Sequence, residues 1–115
     1  MSRLSAYRDL GAPGEPYPQW VRELAGKSGV YVLRSRRDGA TWYVGESHTG
    51  RLYETLTRHV QQWRLPEAHS YERAAVECAF RLTAPEDAPA LQREYICTLS
   101  PRDNVYDVCD AEVPF

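Results

Sequence analysis

The sequence is short of cysteine, nearly without lysine, and has no long apolar run. Each shortage closes off a class of protein. The three cysteines, Cys78, Cys97 and Cys109, are odd in number and never spaced C-x-x-C. That argues against a disulfide framework and against a zinc knuckle, and predicts reduced, mostly buried thiols. No stretch approaches the ~20 apolar residues of a membrane span, and the amino terminus (MSRLSAYRDLGAPGEP) lacks the apolar core of a secretory signal. A soluble protein of the cytoplasm is expected. Neither an internal repeat nor a low-complexity tract is present, which excludes solenoids and disordered arrays.

What is there suits one compact domain over residues 1–115. At 43% hydrophobic and 26% charged residues the chain can bury a core, since a domain of this size buries roughly two thirds of its unfolded surface. The net charge of −2 hides an asymmetry. Residues 1–64 carry ten basic and six acidic groups, net +4, whereas residues 65–115 carry four basic and ten acidic, net −6. The first half could face a polyanion, while Asp103, Asp107, Asp110 and Glu112 make the end of the chain an acidic tail or shield. Thirteen of the 14 basic residues are arginine, whose planar fork grips two phosphate oxygens.

Periodicity divides the chain into six elements. A short helix is expected over 18–25, with Pro18 at a first helical position, Trp20, Val21 and Leu24 on one stripe and Gly26 as the stop. Residues 29–34 (GVYVLR) and 41–45 (TWYVG) form a hairpin closed by Arg37, Asp38 and Gly39. A three-residue loop with Gly39 in the left-handed conformation sets Leu33 opposite Tyr43 and Tyr31 opposite Gly45, so that both tyrosines share one face. Residues 49–63 read as a helix, with Leu52, Leu56, Val60 and Trp63 in one stripe and Arg51, Thr55, Arg58 and Gln62 beside it. His59 falls between the two. A third strand follows over 76–82 (VECAFRL), then a helix from Glu86 or Asp87 to Leu99 that tolerates Pro89 only in its first turn and stops at Pro101. The expected fold is α/β (α+β): a small three-stranded, mainly antiparallel sheet flanked by helices.

Four elements carry polar groups that such a sheet could gather: Tyr31 and Tyr43 from the hairpin, Arg51, Arg58 and His59 from the middle helix, and Glu94 from the last. Glu94 lies three residues after Leu91, beside the apolar stripe and not opposite it. A carboxylate so placed needs a partner, either a divalent cation or an arginine of the other helix.

In order and spacing these residues resemble a known family. Gly29-Val30-Tyr31, twelve residues before Tyr43-Val44-Gly45, resembles the paired motifs of the GIY-YIG nuclease superfamily. The helix with Arg and His, the run Ala90-Leu91-Gln92-Arg93-Glu94 and the closing Pro101-Arg102-Asp103-Asn104 look like its later motifs. The resemblance spans about residues 28–104, leaving 1–27 as a short helical extension and 105–115 as the acidic tail. It departs from the family in four ways: Val stands for Ile in both name motifs, the position four before His59 is Thr55 and not arginine, the stretch from Glu94 to Asn104 is two residues shorter than in some members, and Glu46 follows Tyr-Val-Gly.

The resemblance implies a GIY-YIG-like fold and a DNA endonuclease that hydrolyses phosphodiester bonds with one divalent cation, Mg2+ or Mn2+. In that scheme Glu94 holds the metal, and Arg51 or Arg58 grips non-bridging oxygens. Tyr43 positions water or phosphate, and Gly45 and Asn104 border the substrate. The base is Tyr31 or His59. A phenol needs nearby cations to serve, whereas an imidazole titrates near neutrality unaided. His48 is a further, weaker candidate. The rival reading is a domain of this kind that binds nucleic acid or protein without cutting. A monomer or homodimer acting on DNA is expected, with no membrane and with a protein partner available for targeting.

Overall fold

The computed structural model describes residues 3–60 and 71–104. Their elements run β1 (Arg8–Asp9), α1 (Gln19–Arg22), β2 (Gly29–Ser35), β3 (Thr41–Ser47), α2 (Leu52–His59), β4 (Val76–Leu82) and α3 (Ala88–Leu99). The sheet is antiparallel throughout, in the order β1-β4-β2-β3. It therefore has four strands and not the expected three. The additional strand is two exposed residues, Arg8 opposite Cys78 and Asp9 opposite Glu77. Such a segment has no period and little β-propensity; it forms because β4 would otherwise present an open edge.

Arg73 ties that strand down. Its guanidinium is buried and donates to the carbonyls of Leu10 (2.8 Å), Glu15 (2.8 Å) and Pro16 (3.1 Å), lying 4.0 Å over the Tyr17 ring. Carbonyl dipoles and a ring face thus satisfy the buried cation, and the extended segment ahead of α1 is pinned by one side chain.

The opposite edge, β3, is covered by residues 101–104. Backbone N–H groups of Arg102 and Asp103 donate to Thr41 O (3.1 Å) and Trp42 O (2.8 Å). The Asn104 side chain then acts like a strand backbone, accepting from Val44 N (2.7 Å) and donating to Val44 O (3.0 Å).

The hairpin has the expected pairing at its heart, Leu33 opposite Tyr43 and Tyr31 opposite Gly45. The route to it differs. Ser35 N–H bonds Ala40 O (2.8 Å) and Gly39 N–H bonds Ser35 O (2.9 Å), so the loop spans residues 36–39, one more than predicted. Gly39 is left-handed as expected (φ 76°). Arg34 then faces Thr41, which leaves Trp42 as a bulge residue that restores the register. A bulge turns two successive side chains toward one face, and Trp42 and Tyr43 both pack on the same core.

Helix boundaries moved inward. α1 is a single turn, because Gly26 (φ 78°) is preceded by turn and not helix. α2 begins at Leu52 and not Thr49: Gly50 is left-handed (φ 73°), and the Ser47 and Ser28 hydroxyls take the N–H groups of Arg51 (3.0 Å) and Gly50 (2.9 Å). Gln62 and Trp63 lie outside the described residues, as does the acidic tail. A 3-10 turn over Pro85–Asp87 leads into α3, which ends on left-handed Ser100 (φ 50°) before Pro101.

Two cores result. Tyr31, Leu33, Val76 and Cys78 face α1 and α2 through Val21, Leu24, Leu52, Leu56 and Val60. On the other face Val32 and Val44 meet Ile96, with Tyr95 and Leu99 beside them. Cys78 is the free, buried thiol expected, but exposed Cys97 is disulfide-bonded, which overturns the expectation for that residue. Cys109 lies outside the described residues. No helix among the described residues is long and apolar enough to cross a membrane.

Candidate functional site

The register of β2 and β3 places the first two site residues. Tyr31 faces Gly45 across the strands, and the hydroxyl end of its ring closes on that glycine, where any Cβ would overlap it. Gly29 is required for a similar reason, because a Cβ there would run into the Arg81 carbonyl of β4. Both glycines of the paired motif thus have a packing cause.

Around Tyr31 the structure assembles an aromatic cluster. Its ring is 6.2 Å from Tyr43 and 6.3 Å from His59, and Tyr43 and His59 are 4.7 Å apart. Tyr71, a residue without any local sequence signal, joins from the segment before β4, 6.2 Å from Tyr43 and 5.8 Å from Trp42. The two candidate bases differ in access. Tyr31 is fully buried, with its hydroxyl donating at 3.4 Å to Thr55 O. Burial, reinforced by Tyr43, pushes its pKa well above the usual phenol range, and Arg58 opposes that shift only weakly. Tyr43 and His59 are half-buried. Tyr71 is also held protonated, by burial and by the hydrogen bond its hydroxyl donates to Asp103 (2.7 Å).

Arg51 and Arg58 are exposed at the start and end of α2, and neither has an ion-pair partner among the described residues. His48 is engaged with Glu46, its Nδ1 3.1 Å from Oε1. Asn104, an expected substrate contact, has its amide oxygen and nitrogen on Val44 and so holds the β3 edge.

Glu94 stands apart from the tyrosines. It is exposed on α3, which packs on the Val32 and Val44 face, and it has no arginine partner on α2. It lines a cavity of about 470 Å3 with Arg81, Thr83, Asp87 and Leu91. Asp87, seven residues and therefore two helical turns before Glu94, was legible in principle as its neighbour on one helix face. No group of three or more His, Cys, Asp or Glu side chains gathers among the described residues. Magnesium does not demand one, since it keeps several waters and takes one or two carboxylates; Glu94 and Asp87 fit that donor set.

The two regions share one rim of the sheet. Ser28 accepts the Thr83 N–H at its carbonyl (3.0 Å) and the Gly50 N–H at its hydroxyl (2.9 Å). The turn leading to Arg51 and the strand end beside Glu94 therefore hang from the same residue. Set against family models, curated proteins and solved structures, the chain matches none.

Proposed function

We propose that the chain is a metal-dependent DNA endonuclease, hydrolysing phosphodiester bonds with a single divalent cation, Mg2+ or Mn2+, in a cytoplasmic monomer or homodimer. The observation that carries this reading is the convergence of Tyr31, Tyr43 and His59 beside a helix whose arginines, Arg51 and Arg58, are exposed and without ion-pair partners among the described residues. Hydrolysis needs a group to take a proton from water and cations to hold the phosphoryl oxygens. Arg51 or Arg58 meets the second need by a forked grip.

For the first need, burial separates the candidates. The enclosed Tyr31 hydroxyl is held neutral and serves to orient its neighbours. Tyr43 and His59, half-buried and with rings 4.7 Å apart, are the pair within reach of solvent water. An imidazole takes a proton near neutral pH without further activation, so His59 is the favoured base and Tyr43 positions the water. Glu94, with Asp87, would hold the cation, which when bound supplies charge stabilisation to phosphate and leaving-group oxygens.

The test is incubation of the protein with supercoiled plasmid and Mg2+ or Mn2+, beside Glu94→Ala and an EDTA control. Nicking or linearisation that needs metal and disappears in the variant is the expected result; cutting at the wild-type rate by Glu94→Ala would remove that residue from the site. One observation favours the second reading, a non-cutting nucleic-acid- or protein-binding module: α3 and Glu94 lie across the sheet from Tyr43. Absence of cleavage together with no Mn2+ binding in a calorimetric titration would select it.

A further inference from the structure

A second cavity, of about 620 Å3, opens at the tip of the hairpin between Arg36, Arg37, Asp38, Trp42, Ala74 and Ala75. Its size is in the range that encloses one small molecule or one residue of a polymer. Trp42, left without a ladder partner by the bulge and stacked on Tyr71 within the core, lines one wall. The charges around it are unequal in availability. Asp38 is committed to the loop, accepting the Ala40 N–H (3.0 Å). Arg102 lies 4.5 Å over Trp42 but is paired with Asp103 at 2.8 Å. Arg36 makes only a long, exposed contact to Asp9 (3.5 Å) and another to Ala74 O (3.4 Å). Arg37 is bonded through its backbone N–H to Ser35 Oγ (3.2 Å), and its guanidinium has no ion-pair partner among the described residues.

Indole wall, available guanidinium and single-residue volume together describe a receptor for a base with its phosphate. Through the core, Trp42 packs on buried Tyr71 (5.8 Å), Tyr71 on Tyr43 (6.2 Å) and Tyr43 on His59 (4.7 Å), so the wall of this cavity and the candidate site belong to one packed ring cluster. We propose that the hairpin-tip cavity binds one unpaired nucleotide of a nucleic-acid strand, with its base against Trp42 and its phosphate on Arg37 and Arg36. The proposal rests on the reading of the α2 face as a nucleic-acid surface, and does not require that the strand be cut.

The experiment is fluorescence anisotropy of the full chain with a dye-labelled single-stranded oligodeoxynucleotide and with the same strand annealed to its complement. Wild type should bind the single strand more tightly than the duplex. Arg37→Glu should weaken single-strand binding about tenfold, lower its salt slope by roughly 0.7 and leave duplex binding nearly unchanged. Arg22→Glu, the same charge change at an exposed position of α1 outside the cavity, should alter neither. Trp42→Leu should weaken the single strand without changing the salt slope. Equal affinity for both forms, no binding to either, or an equal loss in Arg22→Glu would overturn the proposal. Glu94→Ala keeps the two readings apart. Loss of cutting there with no effect of Arg37→Glu leaves the nuclease and removes this site, whereas the Arg37→Glu loss in a protein that never cuts does the reverse.

Discussion

The two faces of the sheet are built from different materials. On the α2 face, aromatic rings with polar tips pack at tilted angles around a buried tyrosine, and the arginines stay at the margin. On the α3 face, Val32, Val44 and Ile96 make an aliphatic contact that leaves Glu94 outside. The first arrangement fixes orientation: every ring is held by at least one other, and two of the hydroxyls are locked in neutral form. The second leaves a carboxylate facing water. Rigidity and charge are thus separated by the thickness of one sheet, and Ser28 at the rim joins them.

The most severe way to break this division is on the charged side. Glu94→Ala is expected to abolish metal-dependent cleavage while the thermal midpoint stays within a degree or two (about 0.5 kcal/mol), because exposed side chains contribute little to stability. Plasmid cleavage and calorimetry on one preparation check both halves. On the rigid side, Gly45→Ala forces a methyl into the Tyr31 ring. It should cost about 1–3 kcal/mol by urea unfolding, the usual range for overpacking. Asn104→Ala strips Val44 of two side-chain hydrogen bonds at the β3 edge and should cost a comparable ~1–3 kcal/mol, the penalty for leaving a buried backbone group without a partner. An unchanged midpoint in either variant would mean that the edge or the ring contact is dispensable.

A smaller effect is expected from pH. Tyr31, Tyr71 and Cys78 all hold their protons more tightly in the folded chain, chiefly because burial disfavours the anions. The unfolded chain therefore loses those protons first. Stability should be complete below about pH 8 and fall as pH rises through ~8.5 for the thiol and ~10 for the phenols, the ordinary ranges of those groups. Tyr31→Phe should flatten part of that slope and change stability at pH 7 by less than ~1 kcal/mol, since the hydroxyl makes only one long bond (3.4 Å to Thr55 O). A slope identical to wild type would remove Tyr31 from the linkage.

Much of this arrangement was legible along the chain. The alternation of GVYVLR and TWYVG and the left-handed demand at Gly39 were enough for the pairing of Tyr31 with Gly45, because a strand has a period of two and any slip would invert its faces. The extents of β4 and α3 also follow their local signals closely. The bulge at Trp42 was not legible because one extra loop residue and one bulge cancel in the register, and nothing local distinguishes that pair from a shorter loop. The start of α2 was missed because two serine hydroxyls, one of them from residue 28, hold the preceding turn out of the helix.

By itself the sequence determined what depends on near neighbours: which segments alternate, which turn, and that Tyr31 and Tyr43 share a face. Tertiary structure decided whatever needed a partner far along the chain. Two exposed residues became β1 because β4 had an open edge and Arg73 could reach three carbonyls from 57 to 63 positions away. Tyr71 entered the aromatic cluster, and Asn104 became part of the β3 edge, for the same reason. An unpaired backbone edge and a half-covered ring gain more from closure than a short polar segment loses in being ordered, and that balance is struck only when the sheet exists.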